Sequence, residues 1–363
     1  MMRTVMLLAV GILVTVRAVG LLAEDSRTSA PADPLVQAMA GELEYSMGQL
    51  TTEDGTKPYF LSYSVADITS VTLRASLGAV YGDSETRGRL LDVDLRVGDY
   101  SLDNTHQIRG GNDFARMGRV GGSTAAVPLD NDPVAIQHVL WQSTDRAFKS
   151  AVERYQRVTT DVKTTVAEES KAHDFSREEP SIHADPDASL GLDRTDWANR
   201  LRQVSRLALK YPLIYDSTVA IAGSAENRYF VSSEGSRLKT GTKRLRVYVS
   251  ASTKADDGMD LSHSFIFNCA SESGLPSDQQ MQEAFRRVIE MVLALRAAPV
   301  VEPYTGPAIL LNRASGVFFH EIFGHCIEGH RQKNVEEGQT FTPCAPETRF
   351  VANGECQEIA IPH

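Results

Sequence analysis

The chain has 363 residues, with 42% apolar and 23% charged side chains, and its formal net charge at pH 7 is −10. This composition suffices for the core of one large or two modest globular domains. An acidic chain without a run of Lys and Arg offers no electrostatic footprint for nucleic acid, so we expect no nucleic-acid partner.

Residues 1–23 have the pattern of a secretory signal peptide. Arg3 precedes an apolar run over residues 5–16, and small residues follow as far as Ala23. Arg17 interrupts the segment, which leaves the run too short to span a bilayer. We therefore expect a protein exported to the periplasm or the cell exterior, without stable membrane insertion. The alternative is a retained N-terminal anchor.

Periodicity predicts a helix followed by strands in the next part of the chain. Apolar residues recur every four positions over residues 34–50, which is typical of an amphipathic helix. Apolar and polar residues then alternate over residues 59–65, 71–81 and 89–97. We expect successive antiparallel strands with one solvated face, and we expect the charged residues of these strands to lie on that face.

A long helix is predicted over residues 133–166, after an acidic turn that ends at Asp132 and caps it. We interpret His138 and Trp141 on this helix as packing residues. Residues 168–187 are acidic and without regular period. Their two histidines are expected to be surface residues of a loop, although metal binding is the alternative; they are His173 and His183.

A second set of helices and strands is predicted in the next part of the chain. Helices are predicted over residues 195–210 and 278–297, and the inward side of the second comprises Phe285, Val288, Ile289, Val292 and Leu295. Four strands are predicted between these helices, over residues 217–222, 227–233, 244–252 and 261–269. The expected fold class is α+β, with mixed helices and antiparallel sheets and no sequence repeat strong enough to indicate duplication.

The most informative segment is an apolar run that carries three histidines and two glutamates. It reads Gly316-Val317-Phe318-Phe319-His320-Glu321-Ile322-Phe323-Gly324-His325-Cys326-Ile327-Glu328-Gly329-His330. If this run is a buried helix, its imidazoles and carboxylates need partners, because an unpaired buried polar group costs several kcal/mol. A divalent metal on His320 and His325, with Glu321 as a base, would supply them. The alternative is a core helix whose histidines are hydrogen-bonded.

The spacing of the two histidines predicts an irregular helix. His320 and His325 are five residues apart, which places them about 140° apart on an ideal α-helix. A π-bulge would return both rings to one face, and Gly324 would ease the strain. We therefore expect the helix to be wide or irregular between Glu321 and His325.

The surrounding residues resemble the TldD/PmbA metalloprotease family. The resemblance is carried by a Tyr-x-Gly-Pro segment at Tyr304 to Pro307, a small-residue turn at Ala314 to Gly316, and His-Glu-x-x-Gly-His followed by Glu328-Gly329. It is strong over residues 300–341 and looser over residues 34–299, which correspond to the family's mixed α and β N-terminal half. The PmbA or TldE members lack the motif, so the chain resembles the TldD-type member.

The resemblance implies a Zn²⁺ peptidase. His320 and His325 would be metal ligands and Glu321 the catalytic base. The substrates would be flexible or unfolded peptides, enclosed in a homodimer or in a heterodimer with a PmbA/TldE-like subunit. On this basis, residues 34–299 form the N-terminal domain and residues 300–341 the metal-binding segment.

The family pattern fails over residues 342–363. The family continues into a large β-rich domain that supplies a cysteine as third ligand, and this chain ends before it, as a truncated or frame-shifted tail would. The third ligand therefore stays unassigned, with four candidates: Glu328, His330, Cys344 and Cys356. The alternative function is a non-catalytic or truncated partner subunit with an incomplete metal site. A third interpretation is another metalloenzyme, such as an amidase or deacylase.

Overall fold

The computed structural model describes residues 33–106, 108, 125–164, 173–324, 349–352 and 355–358, and for the last two ranges it describes the backbone alone. The α-helices are α1 Pro34–Gln49, α2 Pro133–Thr164, α3 Arg194–Ser205, α4 Asp278–Ala297 and α5 Arg313–Ile322. The strands are β1 Pro58–Ser76, β2 Ala79–Val97, β3 Ala125–Val127, β4 Ile182–Ala184, β5 Asp216–Ser232, β6 Arg237–Lys254, β7 Asp260–Cys269, β8 Arg349–Ala352 and β9 Glu355–Glu358. Short 3₁₀ turns follow α3 and β7.

Seven of these strands form one sheet in the order β3-β2-β1-β5-β6-β4, and β7 also pairs with β6. The pairing is antiparallel throughout, except for the parallel contact of β4 with β6. Strands β8 and β9 form a separate hairpin. The expected α+β class with antiparallel sheets is confirmed.

The two long hairpins of the sheet are joined at its centre. Strands β1 and β2 turn at Leu77 and Gly78, which both have positive φ (49° and 85°), as a type I′ hairpin turn requires. Strands β5 and β6 form the second hairpin. The first strands of the two hairpins, β1 and β5, pair antiparallel with each other from Ser62–Ser232 to Ala75–Val219.

The chain therefore contains two helix–hairpin–helix units. The first unit comprises α1, β1, β2 and α2, and the second comprises α3, β5, β6 and α4. Since β1 and β5 occupy the same place in each unit and run antiparallel, an approximate twofold axis relates the units. The structure shows this internal arrangement although the sequence carries no visible repeat.

Both helix pairs pack on the same face of the sheet, because most buried strand residues have odd numbers and odd-numbered residues pair with one another across β2, β1, β5 and β6. Around α1 and α2 the core includes Leu61, Tyr63, Val65, Leu91, Val93 and Leu95. Around α3 and α4 it includes Val71, Leu73, Val219, Ile221, Val247 and Val249. The two cores lie at opposite ends of β1, and polar residues occupy the inward positions between them.

Capping fixes the ends of the helices as expected. Asp132 Oδ1 accepts from the backbone N–H of Val134, 2.9 Å away. Ser277 and Gln280 form a reciprocal capping box at the start of α4. The helices predicted over residues 34–50, 195–210 and 278–297 are confirmed within a few residues, with a 3₁₀ turn closing the second.

Several sequence predictions about the strands were wrong. The runs 59–65 and 71–81 belong largely to the single strand β1, and the runs 217–222 and 227–233 to β5. Each of these strands has polar residues at some inward positions. They interrupt the apolar alternation in the sequence, although the strand itself continues through them. The short strand β4 was missed because only three residues pair, in parallel, with β6.

Some side-chain predictions were also wrong. His138 and Trp141 are exposed and stack on each other, with ring centroids 6.4 Å apart, so they do not pack in the core. Leu295 is 43% exposed, although the other four inward residues of α4 are buried. His173 and His183 are exposed, as expected.

Residues 1–23 lie outside the described residues, so the signal-peptide prediction stays a prediction. Within the described part of the chain, no helix combines the length and apolar character needed to cross a bilayer.

Candidate metal centre

The segment between α4 and α5 is exposed along its length. Val300 and Val301 are 89% and 83% exposed, and Tyr304 is 77% exposed. The phenol of Tyr304 folds over Gly306, where a Cβ would collide with its hydroxyl. The glycine of the Tyr-x-Gly-Pro segment is therefore needed for the close approach of this ring.

Helix α5 begins after a sharp backbone turn at Asn312, whose φ of 50° is unusual for a residue other than glycine. The Asn312 carbonyl accepts the backbone N–H of Gly316 at 3.1 Å and the Ser315 hydroxyl at 2.8 Å. The Asn312 side chain makes no capping hydrogen bond. The small residues before the motif thus form the first turn of the helix that carries it.

The helix ends immediately after the first half of the motif. The last α-helical residue is Ile322, and the N–H of Phe323 donates to Phe319 O at 2.9 Å. Phe323 then lies in a turn and Gly324 in 3₁₀ geometry. Residues 313–324 contain no π-helical turn, and the irregularity expected between Glu321 and His325 stays a prediction because His325 lies outside the described residues.

His320 and Glu321 lie side by side in the last turn of α5, and both are exposed. The imidazole of His320 lies against the backbone of Gly324, because a Cβ added there would be 3.4 Å from Nδ1. The histidine and the glycine one turn later are therefore in contact.

The expectation of a buried helix is wrong for α5 among the described residues. None of its residues is buried, and Val317, Phe318 and Phe319 are 53%, 52% and 59% exposed. Phe319 packs on Phe323, with ring centroids 4.9 Å apart. Apolar periodicity indicates that a face is suited to burial, but it does not say what covers that face.

The rest of the predicted donor set lies outside the described residues. These positions are His325, Glu328, His330 and Cys344, and of Cys356 only the backbone in β9 is described. Within the described ranges, no three His, Cys, Asp or Glu side chains converge as a metal site would require. The structure therefore brings together His320 and Glu321 and leaves their relation to His325 a prediction.

The chemistry of the two described residues fits zinc. Imidazole is a favoured zinc ligand, and a carboxylate beside a ligand is suitably placed as a base. Because both side chains are exposed at the end of a helix, other protein groups can approach them without displacing a packed core.

Sequence reasoning missed a buried charge cluster on β1 and β2. Asp67 and Arg89 have side chains only 6% and 5% exposed and form an ion pair with Nε–Oδ2 at 2.7 Å. Arg87 also binds Asp67, at 2.8 Å. Arg89 was expected on the solvated face. Its odd number, shared with the inward residues Leu91 and Val93, is the signal that would have placed it inside.

Comparison with known proteins gives fold neighbours alone. No family model matches the chain, and no curated protein matches its sequence. A solved structure described as a candidate modulator of a DNA gyrase, from Thermotoga maritima, matches with a TM-score of 0.44 and 12% identity, over 72% of this chain and 50% of that chain. TldE from Thermococcus kodakarensis matches with a TM-score of 0.38 and 11% identity, over 70% and 47%.

A candidate modulator of DNA gyrase from Bacteroides thetaiotaomicron matches with a TM-score of 0.41 and 10% identity, over 70% of this chain and 49% of that chain. The chain thus spans about half the length of the structures that it resembles.

Proposed function

We propose that this chain is a zinc-dependent peptidase of the TldD type that acts on flexible or unfolded peptides. The observation that supports the proposal is the placement of His320 and Glu321, which are consecutive and exposed in the last turn of α5. The backbone leaves α geometry directly after them, on the way to His325. A helix that ends there removes the constraint of ideal i,i+5 spacing on the two histidines.

In this proposal His320 and His325 hold the metal. Catalytic zinc usually takes three protein ligands, so one further residue is required. It is drawn from Glu328, His330, Cys344 and Cys356. A bound zinc ion would act as a Lewis acid toward a peptide carbonyl and would make water easier to deprotonate.

The carboxylate of Glu321 performs the proton transfers. It accepts a proton from the attacking water and donates it to the nitrogen of the leaving amine, so one carboxylate acts first as base and then as acid. Its exposure allows a peptide backbone to reach it. Flexible chains suit such a site, because they can present an extended peptide bond to this carboxylate without first unfolding.

A second candidate function is that of a non-catalytic partner subunit. The observation that favours it is the exposed apolar surface of α5, formed by Val317, Phe318 and Phe319. Such a surface is typical of a protein–protein contact. In either function we propose a dimer, formed with a second copy or with a PmbA/TldE-like subunit.

The proposed dimer predicts that the apolar surface of α5 becomes buried. Phe318→Ser with Phe319→Ser should convert the dimer to a monomer in analytical ultracentrifugation. Phe265→Ser on β7, which changes another exposed aromatic residue, is the control. A dimer that survives the double substitution would place the contact elsewhere.

We also propose that the chain is exported. Mass spectrometry of the secreted or periplasmic protein should then show an N-terminus near residue 20 to 24, after loss of the leader. Recovery of the intact chain from the membrane fraction would instead support an anchor.

The decisive experiment measures the metal content of the purified full chain by inductively coupled plasma mass spectrometry. We expect about one zinc per chain, its loss in His320→Ala, and its retention in His263→Ala, an exposed histidine of β7. Glu321→Gln should retain zinc and lose hydrolysis of an unstructured peptide.

The outcomes separate the two candidate functions. Zinc in the wild type and in Glu321→Gln, with hydrolysis only in the wild type, supports the peptidase. Equal metal content in the wild type and His320→Ala, or hydrolysis unaffected by Glu321→Gln, contradicts it.

A further inference from the structure

The two helix pairs leave a gap between them on the shared face of the sheet, and the described residues fill this gap on one side only. Over β5 and β6 it is filled by residues 185–192. Ala188 N donates to Asn227 Oδ1 at 2.7 Å, and Asn227 Nδ2 donates to Ala188 O at 3.0 Å. A Cβ at Gly223 would lie 3.0 Å from Leu192, so the glycine allows this segment to approach the sheet closely.

Over β1 and β2 the part of the chain that the structure describes leaves the gap open as a cleft of about 450 Å³. This volume lies in the range of small-molecule sites. Its floor includes Asp67 and Thr69 of β1, Arg87 and Arg89 of β2, and Tyr229 of β5. These polar residues occupy inward positions of the strands, where the core residues at both ends are apolar.

The floor of the cleft carries one excess positive charge. Arg87 Nε and Nη2 donate to the two oxygens of Asp67 at 3.0 and 2.8 Å, and Arg89 Nε donates to the same carboxylate at 2.7 Å. The remaining acceptors of Arg89 are neutral: Pro128 O, Asp130 O and Asn131 Oδ1. Two guanidinium groups are therefore balanced by a single carboxylate.

The two rims of the cleft carry the opposite excess. At one rim, Lys239 lies between Asp33 and Asp187, at 3.2 and 2.6 Å. At the other rim, Arg194 lies between two carboxylates, at 2.5 Å from Asp83 and 2.9 Å from Glu85. Each rim thus has two carboxylates and one cation, on either side of a positive floor.

Three hydrogen-bonding groups of the floor have no partner among the described residues. They are Nη1 of Arg87 and the hydroxyls of Thr69 and Tyr229. Burial, together with the charge of Asp33, raises the pKa of Tyr229, so its hydroxyl stays neutral and able to donate. All three groups are open to the solvent of the cleft, and the Arg87 side chain is 50% exposed, so a ligand with acceptor oxygens at the floor would replace water on them.

We propose that this cleft binds a small zwitterion of dipeptide size, with its carboxylate on Arg87, Thr69 and Tyr229 and its ammonium group at a carboxylate-rich rim. A neutral zwitterion matches the alternation of charge from floor to rim. A phosphate dianion would meet the same floor but would add repulsion from both rims. No residue of α5 lines the cleft, so the proposal stands whether or not the chain is a peptidase.

The proposal is tested by calorimetric titration of alanyl-alanine into the full chain. We expect saturable binding, weakened at least tenfold when the amine is acetylated or the carboxylate is converted to an amide. Inorganic phosphate should bind more weakly than the dipeptide. Absence of saturation by about 10 mM dipeptide, or phosphate binding as tightly as the dipeptide, would overturn the proposal.

Two substitutions remove unpartnered hydroxyls without removing an internal contact. Tyr229→Phe and Thr69→Val should each weaken binding of the dipeptide about five- to tenfold and leave the urea midpoint of unfolding unchanged. Tyr248→Phe makes the same change on the opposite face of the sheet and should leave the affinity unchanged. Equal affinity in wild type, Tyr229→Phe and Thr69→Val would contradict the assignment.

One further variant distinguishes binding of the dipeptide in the cleft from binding at the metal centre. His320→Ala should bind the dipeptide with the affinity of the wild type. Loss of binding in that variant would assign the dipeptide to α5 and overturn the cleft as its site.

Discussion

The imidazole of His320 lies against the backbone of Gly324, with Nδ1 3.4 Å from the position that a Cβ would occupy there. An alanine at this position makes an ordinary contact, whereas the branched side chain of valine would displace the ring. We expect Gly324→Val to weaken zinc binding about tenfold or more, because supporting contacts of ligands have effects of this size. The measurement is competition with a fluorescent chelator.

A glycine within α5, Gly316, provides the control for this prediction. A Cβ at Gly316 would meet no other atom within 4 Å. Gly316→Val should therefore leave the zinc affinity unchanged, and Gly324→Ala should stay close to the wild type. Equal losses at both positions would show that added side-chain bulk in this segment, rather than the contact with His320, lowers the affinity.

The buried charge cluster predicts a large effect of Asp67→Asn on stability. Burial by itself would raise the pKa of Asp67, but Arg87 and Arg89 outweigh it and hold that pKa below its usual value of 3.8. Removing the carboxylate charge leaves Arg89 buried without its ionic partner, which costs about 3 kcal/mol. Urea unfolding at pH 7 should show this loss.

The effect of Asp67→Asn should also depend on pH. Since the folded pKa is lowered, the stabilisation by Asp67 is complete above the unfolded pKa and is lost as the pH falls through the folded value. The difference between wild type and variant should therefore shrink below about pH 4. Asp92→Asn, on the exposed face of β2, should change the free energy of unfolding by less than about 0.5 kcal/mol at either pH.

Substitution of Glu42 on α1 should change stability with the opposite sign to Asp67→Asn, and this change should also depend on pH. Burial raises its pKa above 4.5, against the smaller effect of the hydrogen bond from Ser46 Oγ at 2.9 Å. The ionised carboxylate is thus a cost to the folded state at neutral pH. Glu42→Gln keeps an acceptor for Ser46 and should raise the free energy of unfolding at pH 7 by up to about 1 kcal/mol. The gain should vanish as the pH falls toward 4.5 and the wild-type carboxyl takes up a proton, and a gain independent of pH would exclude ionisation as its cause.

Substitution of glycine by alanine should change the free energy of unfolding in opposite directions at two positions. Gly98 has a φ of 115°, and a Cβ there would collide with Leu102 O and lie 2.7 Å from Tyr155 Cε2. Gly98→Ala should lower the free energy of unfolding by about 2 kcal/mol. Gly41 lies within α1, and its Cβ would be 3.8 Å from Gln137 Nε2, an ordinary contact. Gly41→Ala should raise stability by about 0.5 to 1 kcal/mol, and thermal unfolding measures both variants.

The helices could be predicted from the sequence because their signals are local. Asp132 before α2 and Ser277 before α4 are capping residues whose partners lie within three positions. The continuity of β1 could not be predicted in the same way. Asp67 and Thr69 break the apolar alternation of that strand, and the partners that hold Asp67 on the inward face, Arg87 and Arg89, lie on another strand.

The candidate site shows the same limit. The motif predicted a helix with His320 and Glu321, which is present, whereas the widening predicted between Glu321 and His325 stays a prediction because His325 lies outside the described residues. The surroundings of α5 could not be predicted, because exposure depends on what packs against Val317 and Phe318 rather than on their own spacing. The cleft was missed for the related reason that charges at inward positions look like surface residues until the register is known.

The central pairing of β1 with β5 has a consequence for the order of folding. Each hairpin can close from residues near in sequence, but the sheet becomes continuous only when residues as distant as Ser62 and Ser232 meet. Such non-local pairing is slow, so we expect two preformed halves whose docking limits the rate. A chain cut between the halves would turn that last step into a bimolecular one, and its refolding rate would then rise with protein concentration.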